Sequence, residues 1–438
     1  MKPIRRRSDA LRNDELILDA ALELLRQKGP DRLSTLDVSR TAGLTTGAVY
    51  ARYENNEEIL VGLWEQRIAE PMRAFLQTSL GVLGSAEQRR ESEVSIAQTL
   101  IDPASPLRPG IGLLIASTRI AELAEIITPQ IQEWFHELGI SDDLNDVASL
   151  QKVSVLSFTL GCLHSSSIDM LQPADWKVVE SMAHHILDNP FQSGDHFHEP
   201  IVPPPIRITD DNANREALLN GTAQIIARGG IERASLQRIS RAAGLNPSTL
   251  FYEYRTRDLL FADAAAKILH CLYEARRTPN VTTNSTVSIA DSDAPKHFAD
   301  PRLIAFRSQS KMYGPAATNG WLAPQGRAAR RLMLEFDLAA MTNMAIRSAY
   351  TLVDEQGTAH AAESLLADFS IPLEISEPVV RFAKTFLQGT MLLQELSDSI
   401  FGRDLRLIYQ PLADAFCNDI VARENVVKSP TSIETNHQ

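Results

Sequence analysis

One stretch of this sequence occurs twice, and the duplication constrains the fold more than any other feature. Residues 29–60 read GPDRLSTLDVSRTAGLTTGAVYARYENNEEIL, and residues 230–260 read GIERASLQRISRAAGLNPSTLFYEYRTRDLL. The two stretches align without a gap, and their equivalent glycines, Gly43 and Gly244, lie 201 residues apart. That spacing is much longer than the period of a solenoid repeat. The duplication therefore indicates two copies of a whole domain, each opened by the same short module.

The first copy of the module has the sequence pattern of three helices. Apolar residues upstream of Gly29 recur at three- and four-residue spacing, which predicts an amphipathic helix with Asn13 as its N-cap. A second helix is predicted from Ser34 to Gly43, where a glycine suits a turn with a positive φ. A third helix is predicted from Thr45 to Tyr53. Two short helices around a glycine turn, braced by a longer first helix, form a helix-turn-helix.

The second copy repeats this pattern over residues 235–254. Asn246 takes the N-cap position and Pro247 the first helical position, where the missing N–H of proline costs nothing. In a helix-turn-helix, the second helix of the pair enters the DNA major groove and its N-terminal residues meet base edges. Both copies of the module therefore predict contact with duplex DNA.

Both copies resemble the N-terminal domain of the TetR family of transcriptional regulators. The resemblance rests on the turn VSRTAGL at 38–44 and ISRAAGL at 239–245, on the aromatic pairs Tyr50/Tyr53 and Phe251/Tyr254, and on the acidic–aliphatic start of a fourth helix. It implies an all-α fold in which each three-helix DNA-binding domain is joined to a larger helical regulatory domain. It also implies dimeric assembly and a small ligand that releases the protein from its operator.

We expect two tandem TetR-like units separated by a proline-rich segment. The expected divisions are a first DNA-binding domain at 10–60 with its helix-turn-helix at 34–53, a first regulatory domain at 61–189, a linker at 190–208, a second DNA-binding domain at 209–260 with its helix-turn-helix at 235–254, a second regulatory domain at 261–425, and a disordered tail at 426–438. Four prolines at 200–205 favour a semi-rigid linker. The polar stretch 278–300 is predicted to be a disordered loop.

The regulatory regions are predicted to be helical, and they contain one further short sequence repeat between the two halves. Helices are expected at 59–75 with an interruption near Pro71, and then at 88–100, 110–127, 129–138, 150–171, 174–187, 258–277, 325–355, 359–368, 377–398 and 405–424. FTLGCLH at 158–164 matches FLQGTML at 386–392. Gly161 and Gly389 in these segments either permit close helix approach or are simply tolerated, and the sequence leaves both readings open.

The candidate DNA-binding residues surround the two recognition helices. They are Arg40, Thr45, Thr46, Gly47, Tyr50, Arg52 and Tyr53 in the first copy, and Arg241, Asn246, Pro247, Ser248, Thr249, Tyr252, Tyr254 and Arg257 in the second. The alternative for Thr45 is a capping role alone. For the tyrosines it is a place in the core, although a ring can pack inward while its hydroxyl reaches a phosphate.

Two positions depart from the family pattern. A lysine that the family usually has at the start of the fourth helix is Asn56 in the first copy and Arg257 in the second. Glu253 replaces Arg52, and a carboxylate that faces phosphates is unfavourable. The net charge of −12 also counts mildly against DNA binding. These features favour an alternative function, a ligand- or protein-binding helical scaffold whose modules no longer grip DNA.

No other site type is predicted. His184, His185, His196, His198 and Glu199 lie on a predicted helix and in the linker, which favours solvated side chains over a metal site. No catalytic constellation or cofactor motif occurs, so we expect neither an enzyme nor a bound cofactor. The cysteines, which are scattered and form no pairing pattern, favour free thiols; they are Cys162, Cys271 and Cys417.

An effector pocket is the least constrained expectation. Trp134, Phe158, Phe336 and Met341 are candidates to line one, but a hydrophobic stripe at helical spacing requires burial with or without a ligand. The sequence has no apolar stretch long enough for a transmembrane helix and no apolar segment after its basic start. We therefore expect a cytoplasmic DNA-binding repressor, either a monomer whose two units form an intramolecular pseudo-dimer or a homodimer, released by a small apolar or amphipathic effector.

Overall fold

The computed structural model describes residues 3–143, 146–171, 206–277, 300–307, 326–397, 414, 417, 418, 420 and 421. Side chains at 3–11, 272–277 and 375 are outside this description. Over these ranges the chain is helical and contains no β-strand, which confirms the all-α prediction. The predicted helix 174–187, the predicted tail and nearly all of the linker fall outside the described residues.

Four helices and one short turn open each half of the chain. In the first half they are α1 (Pro3–Lys28), a 3₁₀ turn (Pro30–Arg32), α2 (Thr35–Thr41), α3 (Thr46–Tyr50) and α4 (Asn56–Leu63). Asn13 lies inside α1, so the N-cap prediction was wrong. The helix begins ten residues earlier at Pro3, because Arg, Ala and Leu residues continue its pattern upstream and proline is well suited to a first helical position.

The described remainder of the first half, up to residue 171, is a body of five helices. A π-helical turn (Trp64–Ile68) joins α4 to α5 (Ala69–Leu80), and α6 (Ala86–Ile101), α7 (Leu107–Ser117), α8 (Ala121–Glu137) and α9 (Val147–Ser167) follow. The predicted interruption lies at the π-helical turn, and Pro71 falls in the first turn of α5, where no N–H is needed.

Two predicted boundaries in this body were wrong. The helix predicted at 110–127 is divided, because α7 ends at Ser117 and α8 begins at Ala121. Pro129, which was predicted to start a new helix, lies inside α8. Buried Leu123, Ile127 and Ile131 continue one apolar stripe past the proline, so burial outweighs the lost backbone hydrogen bond.

The second half repeats this order. Its described helices are α10 (Ala213–Gly229), α11 (Leu236–Ala242), α12 (Pro247–Glu253), α13 (Arg257–Arg277), α14 (Arg327–Ala340), α15 (Met344–Phe369) and α16 (Leu373–Leu396). The helix predicted at 325–355 is divided at Asn343, whose side chain accepts hydrogen bonds from the backbone N–H groups of Ala345 and Ile346. The segment predicted as a separate helix at 359–368 belongs to α15.

The two halves contact each other most extensively where α9 crosses α16. The rings of Phe158 and Phe382 stack with centroids 4.8 Å apart, and the Ser165 hydroxyl donates to Gln388 Oε1 at 2.7 Å. A Cβ built on Gly161 would lie 1.9 Å from the backbone oxygen of Thr385. This confirms that the glycines of the short repeat, Gly161 and Gly389, permit close helix approach.

No described helix is both long and apolar enough to span a membrane. The three cysteines are free thiols, as predicted.

The glycine crossing generates a stability prediction. A Cβ built on Gly389 would lie 1.6 Å from the backbone oxygen of Ser157, which cannot move without shifting α9. We expect Gly389→Ala to lower the free energy of unfolding by about 1–3 kcal/mol or more, since that is the usual cost of overpacking a core. Urea unfolding followed by circular dichroism measures this cost.

Gly112→Ala in α7 is the matched control. The nearest atom to its added Cβ is Leu338 Cδ1 at 3.4 Å, an ordinary contact. This variant should stay within about 1 kcal/mol of the parent protein, since alanine also improves helix propensity. Equal losses in the two variants would show that the crossing of α9 and α16 is not the cause.

Candidate nucleic-acid interface

The glycine turns of the two modules have the same geometry. Gly43 and Gly244 both have φ of 67°, a left-handed conformation that L residues with a Cβ rarely adopt. In each turn the following leucine N–H bonds the serine carbonyl five residues earlier: Leu44 to Ser39 and Leu245 to Ser240, both at 2.9 Å. The angle between the two helices is therefore set by the same backbone hydrogen bonds in both copies.

The helix caps differ between the copies. Ser34 accepts from the Asp37 N–H at 3.1 Å, and Thr45 accepts from the Ala48 N–H at 3.2 Å, so both residues are N-caps at the positions where the sequence predicts helices to begin. Asn246 occupies the N-cap position of α12 without a side-chain cap hydrogen bond. Its exposed amide keeps its hydrogen-bonding groups available at the tip of that helix.

The first module presents an exposed face around the start of α3. Thr45 and Gly47 are exposed, Thr46 is half-buried, and Tyr50 is 56% exposed. The Arg40 side chain is 73% exposed and lies 3.6 Å from Asp37. A hydrogen bond from Lys28 lowers the pKa of Asp37, so this carboxylate remains ionised beside Arg40. The face combines one accessible cation with small polar side chains and an accessible phenol.

The second module presents the equivalent face around the start of α12. Arg241, Asn246, Pro247 and Ser248 are exposed, and Thr249 is half-buried. Two aromatic residues follow, with Phe251 56% and Tyr252 85% exposed. Phe251 occupies the place of Tyr50 with the same exposure but no hydroxyl, and Tyr252 supplies a phenol one residue later.

Arg52 and Tyr53 turn inward, toward α1 and α4 respectively. Arg52 forms an ion pair with Asp14, and its side chain is largely covered. The Tyr53 ring is half-buried over Gly62, where an added Cβ would lie 2.8 Å from Cε1 of the ring. Burial, followed by the charge of Asp14, raises the pKa of the Tyr53 hydroxyl. Arg52 thus holds the recognition helix against α1, and Tyr53 packs against α4.

Tyr254 is buried in the second module. Its hydroxyl donates to Asp263 Oδ2 at 2.5 Å, and Arg215 also bonds that oxygen at 2.8 Å. Burial, followed by the hydrogen bond to Asp263, raises the pKa of Tyr254 far above its ordinary value. This environment argues against a DNA contact from Tyr254, since the hydroxyl already has a charged partner inside the domain.

Glu253 and Asn56 have partners within their own modules. Glu253 Oε2 accepts from the side-chain amide of Asn212 at 3.0 Å, which holds the carboxylate near the N-terminus of α10. Asn56 Oδ1 accepts from both the N–H and the hydroxyl of Thr35 at 2.9 Å. Asn56 therefore joins α4 to α2.

Arg257 is engaged in the equivalent place of the second module. It donates to the Ile231 carbonyl at 2.6 Å and to Glu232 at 3.2 Å, and it lies over the Phe261 ring. To reach a phosphate, this guanidinium would have to give up these contacts. Of the predicted residues, those at the helix tips form an exposed face in each copy, whereas Arg52, Tyr53, Tyr254 and Arg257 are engaged within the protein.

A polar network that the sequence analysis missed joins the two modules. Arg119 forms an ion pair with Asp31 next to α2, and its Nε donates to Glu335 of α14 at 2.6 Å. Glu335 also accepts from the Ile231 N–H of the second module at 3.2 Å. Burial raises the pKa of Glu335, and the charge of Arg119 opposes this shift. No sequence spacing could have linked these residues, because the second-half partners lie about two hundred positions away from the first.

A direct ion pair reinforces this network. Arg32 Nε donates to Glu232 Oε1 at 2.9 Å, which joins the turn after α1 to the turn after α10. Glu232 also accepts from Arg257. The two helix-turn-helix modules are thus held together by charged side chains.

The predicted effector residues lie mainly in the core. Trp134 stacks on Trp64 with centroids 6.0 Å apart, Phe158 stacks on Phe382, and Phe336 is buried in α14. Met341 is partly buried and borders a cleft between the halves. The positions of the three aromatic rings favour packing over ligand binding. The candidate metal ligands at 184–199 lie outside the described residues, which themselves contain no cluster of three metal-binding side chains.

Comparison with known protein families matches both modules to one family. The family model described as bacterial regulatory proteins, tetR family, matches residues 17–63 and again residues 218–264. The two matches are offset by the same 201 residues as Gly43 and Gly244. No curated protein matches the chain.

The Tyr254 environment generates a prediction about the second module. Tyr254→Phe removes a hydrogen bond to the partly buried carboxylate of Asp263, so we expect it to lower the free energy of unfolding by about 1–3 kcal/mol. Urea unfolding measures the loss. Tyr53→Phe is the matched control, because the Tyr53 hydroxyl makes no hydrogen bond to a described residue, and its stability should stay close to that of the parent. If Tyr254→Phe instead weakened only DNA binding, the structural role of the hydroxyl would be refuted.

Proposed function

We propose that the chain is a TetR-family DNA-binding transcriptional regulator whose two TetR-like units act as an intramolecular pseudo-dimer on one operator; the two matches to the family model support this proposal. Members that act as two-chain dimers present two recognition helices to successive turns of the major groove, roughly 34–36 Å apart. Here one chain carries both helices.

The crossing of α9 and α16 is the observation that carries the pseudo-dimer proposal. The two helices that contain the short repeat, α9 and α16, pack against each other through backbone contacts at Gly161 and Gly389. The buried pair of His164 and Asp337, 3.2 Å apart, lies at the same seam between the halves. Together with the network around Arg119, these contacts favour a fixed separation of the two modules.

The exposed faces at the tips of α3 and α12 support DNA binding. Both carry small polar side chains, an exposed aromatic residue and an exposed arginine at the end of the preceding helix. The charge of these faces acts within a Debye length of about 10 Å, so the acidic body weakens non-specific affinity without forbidding specific contact. We further propose that the protein is a cytoplasmic repressor whose operator affinity a small apolar or amphipathic effector lowers.

The second candidate function is a helical scaffold that binds a ligand or protein but not DNA. The engagement of Asn56 and Arg257 within the protein favours this alternative, because the side chain at this family position is then occupied in both modules. DNA binding with a steep salt dependence separates the two functions.

The exposed arginines generate a prediction about phosphate contacts. We expect Arg40→Ala and Arg241→Ala each to weaken operator binding and to reduce the slope of log K against log salt by about one. Mobility shifts on DNA that flanks the coding region, at several salt concentrations, measure both effects. Arg90→Ala in α6 is the control, since Arg90 is exposed on the body of the first half, and it should bind like the parent. The absence of salt-dependent DNA binding would favour the scaffold.

The different helix tips generate a prediction about the operator. The tips read TTGA at 45–48 and NPST at 246–249, so selection from random DNA should return two unlike half-sites. Replacing the second tip by the first, through Asn246→Thr, Pro247→Thr, Ser248→Gly and Thr249→Ala, should make the selected half-sites more alike. A perfect palindrome selected by the parent chain would refute the pseudo-dimer.

The pseudo-dimer also predicts the oligomeric state. Light scattering of the protein without DNA should give the mass of a monomer, 48.4 kDa.

A further inference from the structure

A cleft of about 200 Å³ lies where three parts of the molecule meet. The C-terminal end of α1, which belongs to the first DNA-binding module, forms one wall with Leu25 and Arg26. The first turn of α7 forms a second wall with Arg108 and Pro109. Leu338 and Met341 of the second half close the cleft. A molecule in this cleft would contact a DNA-binding module and both helical bodies at once.

The charged residues in the cleft are mostly cationic. Arg26, Arg108 and Arg347 line it, and Asp169 is the carboxylate among the lining residues. Asp169 forms an ion pair with Arg347, which also donates to the carbonyl oxygens of Ala340 and Met341. The charges of Arg26 and Arg108 therefore have no carboxylate partner among the lining residues.

Arg26 and Arg108 also retain unused hydrogen-bond donors. Arg26 donates to the Ala104 carbonyl, and Arg108 Nη2 donates to the Leu100 carbonyl at 3.0 Å and to Ser166 Oγ at 3.1 Å. The Nε–H groups of both arginines are buried and have no acceptor among the described residues. A buried donor without a partner costs free energy, which an anionic acceptor would recover.

We propose that this cleft binds an amphipathic carboxylate, with its carboxylate at Arg26 and Arg108 and its apolar part against Leu25, Pro109, Leu338 and Met341. Guanidinium groups match carboxylates in charge and planar geometry, and the apolar walls accept a short hydrocarbon or aromatic group. As an effector site this rests on the proposed regulatory function. Because Leu25 and Arg26 belong to α1, occupation of the cleft would alter the contacts that hold the first DNA-binding module against the second half.

Calorimetric titration of the full-length protein with octanoate and with 1-octanol tests the site. The two probes have the same chain length and differ in charge, so octanoate should bind at least tenfold more tightly. Arg26→Met and Arg108→Met should each weaken octanoate binding at least tenfold, whereas Arg26→Lys, which keeps the charge but not the planar geometry, should weaken it less than Arg26→Met. Arg90→Met is the matched control and should leave binding unchanged. Circular dichroism on each variant checks that it folds.

Three results would overturn the site. They are the absence of saturable octanoate binding at millimolar concentration, equal affinity for the neutral alcohol, and binding that folded Arg26→Met and Arg108→Met variants retain. If the variants fail to fold, the comparison of octanoate with 1-octanol in the parent protein still shows whether the cleft selects a carboxylate.

Mobility shifts with and without octanoate separate this proposal from the proposed function. Salt-dependent DNA binding without octanoate binding would leave the regulator and remove the site. Octanoate binding through Arg26 and Arg108 without any DNA binding would keep the site and favour the scaffold.

Discussion

The close crossing of α9 and α16 is the contact on which the relation between the two halves depends. At Gly161 and Gly389 the two backbones approach so closely that neither position has room for a Cβ. Small residues at a crossing let helix backbones meet, and the larger side chains on either side then interdigitate, as Phe158 and Phe382 do. A crossing made by backbone atoms tolerates little sliding or rotation, because no flexible side chain lies between the helices to absorb the change.

The charged network around Arg119 extends this rigidity to the DNA-binding modules. Arg119 contacts Asp31 of the first module and Glu335 of the second body, and Glu335 in turn holds the Ile231 N–H of the second module. Such largely buried ion pairs contribute little net stability compared with apolar packing, but they specify one arrangement, since any other would leave a charge without its partner. The hydrophobic seam supplies the stability, and the network fixes the position of the modules on it.

The sequence was sufficient to predict local structure wherever the controlling interaction joins residues close together in the chain. Gly43 and Gly244 adopt the expected positive φ, and Ser34 and Thr45 cap the expected helices. The boundary predicted at Pro129 was wrong, because the extent of α8 past this proline depends on burial against other helices. Nothing in the sequence indicated the contacts that Asn56 makes with Thr35 and Arg257 with Ile231, which lie far from them along the chain. Exposed residues at the helix tips were identified from the repeat, whereas the inward-facing ones were not distinguished from them.

Fusion of the two units into one chain allows each module to change without the other. The repeat makes Asp14 equivalent to Arg215 and Arg52 equivalent to Glu253, so the charges at this pair of positions are reversed between the copies. In the first copy Arg52 pairs with Asp14, whereas in the second Arg215 bonds Asp263 and Glu253 bonds Asn212. In a homodimer every substitution appears in both modules, so one module could not acquire such an alternative network alone. The same independence extends to the residues at the tips of α3 and α12, so the proposal of unlike half-sites rests on the architecture rather than on any single side chain.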